Sequence, residues 1–277
     1  MNKILYAIIS VLTLASCAES YNITGTSNVS TLDGRKLYLK VLKDTDFINV
    51  DSCDVVHGQF HFSGNVDSAK MANIFMDNEN VLPLVLEDGD ITVKIDDTQQ
   101  IASGTPLNDK LFKFFRKYNQ LKNEESELVH LHDQAIMNGR NMVAVNQHLN
   151  NEAARITAQE DKLVTSFVCS NFNNVLGPGI FFLVTIGYEY PQITPWIEDI
   201  MTQATNKFKN DPYVKDYYSK AKENEEIMNG MKDPNATPPA TPSGTGQGLA
   251  PGGRTPTPNE LAQPAQQSDP SAAQSAR

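Results

Sequence analysis

Imidazole and carboxylate side chains are the groups of this chain that could bind a metal. The histidine pairs are His57 with His61 and His130 with His132. Helical residues two apart point about 200° away from each other, so His130 and His132 cannot chelate one ion from a helix. His57 and His61 flank a predicted hairpin, where a zinc ion would need two further ligands. We therefore expect no metal and no other cofactor.

Acidic residues form two clusters, at positions 44–51 and 87–97. Both lack the alternating acids, glycine and terminal glutamate of a calcium loop. We interpret them as acids that end strands and keep sheet edges soluble. Neither a G-x-S-x-G serine motif nor a Gly-rich phosphate loop occurs. The sequence favours a protein that is not an enzyme, and a hydrolase with an unrecognised site is an alternative.

The strongest chemical signal is a candidate lipid-attachment site at Cys17. Lys3 precedes an apolar run at positions 4–14, and Ala15 and Ser16 lead into Cys17. This order is typical of an export signal peptide, and the run is shorter than the roughly 20 residues that span a bilayer. Because the small residues end in a cysteine, the segment resembles a lipobox. The resemblance implies cleavage before Cys17 and acylation of its sulfur, and an ordinary secretory signal is the alternative.

This interpretation assigns residues 1–16 to a lipoprotein signal peptide and residues 17–20 to a lipidated tether. The expected location is the cell envelope, at the outer membrane, with attachment through acyl chains. The formal net charge of −10 agrees with that mode of attachment. An acidic chain binds neither nucleic acid nor an anionic lipid surface by charge.

The remaining thiols and one serine are candidates for covalent modification. Cys53 and Cys169 could pair in an oxidising compartment, or each could pack as a small hydrophobic residue. No CxxC pair occurs, so the chain lacks a dithiol redox motif. Asp67-Ser68-Ala69 resembles the three-residue O-glycosylation acceptor of some Gram-negative exported proteins, which implies a candidate site at Ser68.

Residues 21–105 carry the pattern of a β domain. Apolar and polar residues alternate at positions 36–41, 59–63 and 90–96, which predicts half-buried strands. Turn signals separate the runs, and His57-Gly58 and Asp88-Gly89 are predicted hairpin turns. Short strands with such turns indicate an antiparallel β-sandwich or barrel.

Residues 106–230 change to helical periodicity. Thr105 and Pro106 mark a helix start, and Asn138-Gly139 marks its end. A second long helix is expected from 143 to 172 and pairs with the first as a hairpin. Shorter helices are predicted at 179–188, 194–208 and 212–228. The fold class is therefore α+β, with a β-sandwich or barrel followed by a helical hairpin or small helical bundle.

Residues 231–277 have the composition of a disordered tail. Nine of the 15 prolines lie there, together with many Gly, Ala, Ser, Thr and Gln residues and no aromatic residue. Such a segment cannot bury enough apolar surface to offset the entropy lost on ordering. A tether to a partner and an inert extension are both open interpretations.

Segments of the β region, in this order, resemble a known domain of exported Gram-negative lipoproteins. They are residues 21–25, 34–39, 50–64, 86–93 and 103–109. Together they resemble domain of unknown function 4369, over residues 21–115. In that family the domain usually precedes a thioredoxin-like domain, which needs a CxxC motif. This chain runs instead into the Pro-rich tail.

From these observations we expect a non-catalytic, lipid-anchored envelope protein with a binding or scaffolding role. Its expected partners are the membrane, through the anchor, and an envelope protein, but not nucleic acid. The alternative is an accessory component of an envelope thiol–disulfide or stress pathway without its own redox centre. That alternative rests on the fact that in other proteins the domain usually accompanies a thioredoxin-like domain.

Overall fold

The computed structural model describes residues 19–43, 46–96 and 99–232. Cys17, the predicted signal peptide and residues 233–277 lie outside the described residues. The described chain divides into two compact units. The first unit contains residues 19–118 and 161–232, and the second contains residues 119–160.

The first unit begins with a β domain of two four-stranded sheets. The first sheet has the order β4-β1-β7-β8 and the second sheet the order β3-β2-β5-β6. The strands are β1 (Ser20–Ser27), β2 (Lys36–Lys43), β3 (Asp46–Asp54), β4 (Gln59–Asn65), β5 (Lys70–Met76), β6 (Glu79–Leu86), β7 (Gly89–Ile95) and β8 (Gln100–Ser103). The predicted β domain followed by helices is confirmed.

The core of the β domain follows from the period-two patterns. Ile23, Leu39, Phe62, Ile74 and Ile91 are buried, whereas their neighbours along the strands are largely more exposed. Successive side chains point to opposite faces of a strand, so the face that carries these residues supplies the core. Burial of these faces against one another supplies the main driving force for folding of this domain.

The two predicted hairpin turns have different outcomes. His57-Gly58 closes a tight turn, with Val56 and Gln59 exchanging backbone hydrogen bonds of 2.9 and 3.0 Å. Asp88-Gly89 instead carries the chain from the second sheet to the first. As a result β7 runs parallel to β1, while the other strand pairs are antiparallel. The prediction of a hairpin at Asp88-Gly89 was wrong, because the residues of a turn do not determine which distant strand the following strand will pair with.

Six helices follow the β domain in the described chain. They are α1 (Pro106–Met137), α2 (Met142–Cys169), α3 (Leu176–Thr185), α4 (Pro195–Gln203), α5 (Asn206–Lys209) and α6 (Pro212–Met228). α3 begins earlier than predicted and includes Pro178, because the first-turn N–H groups of a helix have no intrahelical partner for proline to remove. The predicted helix at 194–208 is two helices, with Thr205 capping the second.

A buried amide joins α1 to the edge of the second sheet. Asn108 is fully buried, and its Oδ1 accepts the N–H of Val85 at 2.9 Å. Its Nδ2 donates to the carbonyl of Val85 at 2.7 Å and to Thr105 Oγ1 at 2.8 Å. β6 is an edge strand, so these backbone groups have no strand partner on that side. The Asn108 side chain satisfies them as a neighbouring strand would.

Glu87 completes this joint from the end of the β domain. Its Oε1 accepts the N–H groups of Leu107 and Asn108 at 2.9 and 3.1 Å. A carboxylate at this place satisfies free N–H groups of the first helical turn and complements the helix dipole. One acid of the 87–97 cluster therefore has a specific role that the sequence interpretation missed.

We predict that Asn108→Leu strongly destabilises the protein. It leaves the Val85 N–H and C=O buried without partners, at about 1–3 kcal/mol for each group. The expected loss is about 2–6 kcal/mol in the free energy of unfolding, measured by urea denaturation. Asn150→Leu, at an exposed position of α2, is the control. Equal losses in the two variants would contradict the role assigned to Asn108.

Candidate functional site

A cavity of about 190 Å³ lies within the first unit, between the second sheet and helices α3 and α6. Its apolar lining includes Leu42, Met71 and Phe182. Leu42 and Met71 lie on the face of the second sheet that is turned away from the first sheet. The cavity is therefore a recess between the β domain and the helices that follow it.

The close approach of α3 to β5 shapes this recess. Gly179 of α3 faces Met71, and a Cβ added to Gly179 would lie 2.6 Å from Met71 Cγ. A side chain there would force the methionine to move. Glycine at position 179 thus brings the helix backbone onto the sheet and sets one wall of the cavity.

Asp211 is the acidic residue of the cavity lining. It is the N-cap of α6, and its Oδ1 accepts the N–H groups of Tyr213 and Val214 at 3.1 and 3.3 Å. Burial raises the pKa of this carboxyl above its ordinary value, and the two backbone N–H groups oppose that rise. One carboxylate oxygen is therefore committed to capping the helix.

Tyr213 supplies a hydroxyl that is fixed by a hydrogen-bond chain. Thr185 Oγ1 donates to the carbonyl of Phe181 at 2.6 Å. The Tyr213 hydroxyl lies 2.9 Å from the same Thr185 oxygen, and it acts as the donor because the threonine proton is already used. Burial is the main cause that raises the pKa of Tyr213 to about 12. The phenol is therefore a neutral donor at neutral pH.

Lys70 brings the one positive charge of the cavity lining. Its Nζ lies 2.5 Å from Asp67 Oδ1, so the charge is paired on the surface. The lining contains no serine, cysteine or histidine. It combines an apolar surface with a few fixed polar groups, which suits binding. Its volume is below the roughly 300–1,000 Å³ of small-molecule sites and suits an apolar side chain or a small fragment.

The two candidate disulfide cysteines are not paired in the structure. Cys53 lies on β3 and Cys169 is the last residue of α2, and both are free thiols. Burial is the main cause that raises the pKa of each thiol. Both side chains are partly buried and pack against the hydrophobic core.

Ser68, the candidate O-glycosylation site, is exposed in the connection between β4 and β5. It lies beside the cavity, since Ala69 and Lys70 are part of the cavity lining. Asp67 on its other side forms the ion pair with Lys70. The serine hydroxyl is therefore accessible, which its modification would require.

The histidine pairs lie in different surroundings. His57 and His61 are exposed at the β3–β4 turn and on β4. On α1, His130 is exposed, whereas the His132 side chain is largely buried and its Nδ1 lies 3.7 Å from Asp133 Oδ1. Within residues 19–43, 46–96 and 99–232, no group of three or more His, Cys, Asp and Glu residues could hold a metal ion.

Sequence reasoning did not identify the polar residues of the cavity. The helical pattern of the sequence correctly predicted that α6 begins at Pro212, directly after Asp211. The same pattern carries no information on what packs beside the cap. Lys70 and Tyr213 had no local signal either, because the cavity forms only when the helices meet the sheet.

The architecture defines an α+β protein with a two-sheet β domain joined to helices through a capped first turn. Residues 21–111 match the family described as Domain of unknown function (DUF4369). The matched range includes Glu87 and Asn108, which places the joint to α1 inside the domain. Comparison with curated proteins found no relative of the chain. In the part of the chain that the structure describes, no helix is long and apolar enough to span a bilayer.

We predict a specific pH dependence from Asp211. Its raised pKa means that the folded state holds the proton more tightly than the unfolded state. The contribution to stability is therefore complete below the ordinary aspartate pKa and is lost as pH rises through the raised value. Asp211→Asn keeps a capping oxygen and cannot ionise. Its free energy of unfolding relative to wild type should therefore increase as pH rises through this window. Urea denaturation between about pH 3 and pH 7 measures the difference.

Asp211→Ala serves as the second variant in this series. It removes the cap and should cost about 1 kcal/mol, which separates the loss of capping from the loss of charge. A difference between wild type and Asp211→Asn that stays constant over the whole pH range would contradict the assignment.

Proposed function

We propose that this protein is a non-catalytic, lipid-anchored protein of the cell envelope that binds an envelope protein through the cavity beside Met71. In this proposal, acyl groups on Cys17 hold the chain at the outer membrane. The described domains then present the cavity to a partner.

The observation that carries the binding role is the composition of the cavity. Its lining is mainly apolar, and its polar groups are already engaged, Asp211 with α6 and Lys70 with Asp67. A recess of about 190 Å³ can accept one apolar side chain of a partner. Small, well-packed pockets that receive a single anchor side chain supply much of the energy in many protein interfaces.

The cysteines give no support to the thiol–disulfide alternative. A thiolate is the reactive form in disulfide exchange, and burial raises the pKa of both Cys53 and Cys169. The main proposal therefore assigns no redox chemistry to the chain.

Lipid attachment is tested by Cys17→Ser. We expect the wild-type protein to incorporate an alkyne-tagged fatty acid and to fractionate with membranes. Cys17→Ser should lose the tag, because its hydroxyl cannot replace the acylated sulfur. Cys53→Ser is the matched control and should keep both. A tag that persists in Cys17→Ser, or that disappears in Cys53→Ser, would rule out acylation at Cys17.

The binding role is tested by site-specific photocrosslinking in cells. A photoreactive amino acid replaces Ala69, which lines the cavity, or Ala158, which is exposed on α2. We expect a discrete crosslinked species from position 69 and none from position 158. A second, unlabelled copy of the protein that carries Ala69→Trp should not reduce the amount of that species, because its indole fills the recess and blocks partner binding. The same pattern from positions 69 and 158, or no adduct at 69, would refute the cavity as the binding site.

A further inference from the structure

The turn between α1 and α2 has a geometry fixed by hydrogen bonds within the second unit. The N–H of Gly139 donates to the carbonyl of Ile136, and the N–H of Arg140 donates to the carbonyl of Ala135, both at 3.0 Å. Gly139 has a φ of 63°, the left-handed conformation that this helix ending requires. Asn141 Oδ1 accepts the N–H of Val143 at 3.1 Å and caps α2. The turn is therefore a defined structure and not a frayed helix end.

This turn displays apolar side chains to solvent. Met137 is 86% exposed, Val143 79% and Ile136 55%. We call residues 136–143 the apolar tip. Ala135 and Leu149 are buried close to it in the sequence, so the second unit does have a core that could have received apolar residues. Clustered exposed apolar residues at a defined turn mark a surface that contacts an apolar environment.

Charge in the second unit is arranged around the same tip. All six acidic residues of positions 119–160 lie at 124–133 or 152–160. Positions 134–151 contain no acid, and Arg140 and His148 are their basic residues. The turn end of the α1–α2 hairpin therefore has no carboxylate, although the rest of the second unit has six and the whole chain has a net charge of −10.

We propose that the apolar tip inserts into the interfacial region of a lipid bilayer. The side chains of Ile136, Met137 and Val143 would enter the acyl boundary, while Arg140 extends to the phosphate groups. The absence of acidic residues from the tip fits insertion into lipid, because moving a carboxylate out of water is costly. The negative net charge opposes attraction to anionic lipid, so apolar burial is the driving interaction. This inference concerns a surface separate from the cavity and holds whether or not the cavity binds a partner.

The test places a fluorescent reporter on the tip of the full mature protein. The protein carries Met137→Trp, is purified from membranes and is reconstituted in phosphatidylcholine–phosphatidylethanolamine vesicles. The chain has one native tryptophan, the buried Trp196, whose emission is subtracted using the unsubstituted protein. We expect a blue shift on reconstitution and loss of emission when the lipids carry bromine on their acyl chains.

Two matched variants make the result specific. Met228→Trp, at a position 78% exposed on α6, should show neither the shift nor the quenching. Adding Val143→Asp to the Met137→Trp protein should abolish both, because the tip then carries a carboxylate. Mass spectrometry measures acylation of Cys17 independently. Loss of the lipid anchor is therefore distinguished from a tip that does not insert into the bilayer.

The remaining outcomes overturn the proposal. A blue shift without quenching by brominated lipid would mean that the tip is covered by protein. If that shift grows with protein concentration, the cover is a second copy of this chain. An unshifted and unquenched spectrum from Met137→Trp would mean that the tip stays in water beside the bilayer.

Discussion

The two hydrogen bonds between the Asn108 amide and the Val85 backbone are the constraint on which the first unit depends. They close the edge of the second sheet and at the same time fix the first turn of α1 on that sheet. Glu87 holds the same turn through its free N–H groups. The buried Asn108 amide satisfies the Val85 N–H and C=O groups only when α1 lies in one position on the sheet. Any other position would leave these polar groups buried without partners. The start of the helical region thus has one position on the β domain.

The fold was predictable wherever the information is local. Alternating residues on β2, β4 and β7 correctly predicted strands, and the helical pattern correctly placed the start of α6 at Pro212. The parallel pairing of β1 with β7 was not predictable, because a turn signal at Asp88-Gly89 says nothing about which strand comes next to it. The predicted start of α3 at residue 179 lay after Pro178, whereas a proline breaks a helix only where its missing N–H would have been used.

The candidate site shows the same limit more sharply. Met71, Gly179 and Tyr213 come from separate elements, and each has an ordinary role in its own element. Their importance arises only from packing, when a helix without a side chain at one position settles on a methionine of the sheet. The free thiols are a complementary case. The sequence left pairing of Cys53 and Cys169 open, because residue type carries no information on where β3 and the end of α2 lie, and both thiols are free in the structure.

The position of β1 in the middle of the first sheet sets the order in which the β domain can fold. β1 is the first strand of the chain from residue 19 onward, where the structural description begins, yet its partners are β4 and β7, so that Tyr21 lies opposite Gly64 and Gly89. Contacts this distant in sequence require large loops to close first, which places folding of such domains on the order of milliseconds to seconds. During synthesis or export from the N-terminus, β1 therefore remains without its second partner until almost the whole domain has emerged. After β4 covers one edge of β1, the other edge stays open until β7 arrives, and during that interval a chaperone that recognises extended chains can reach it.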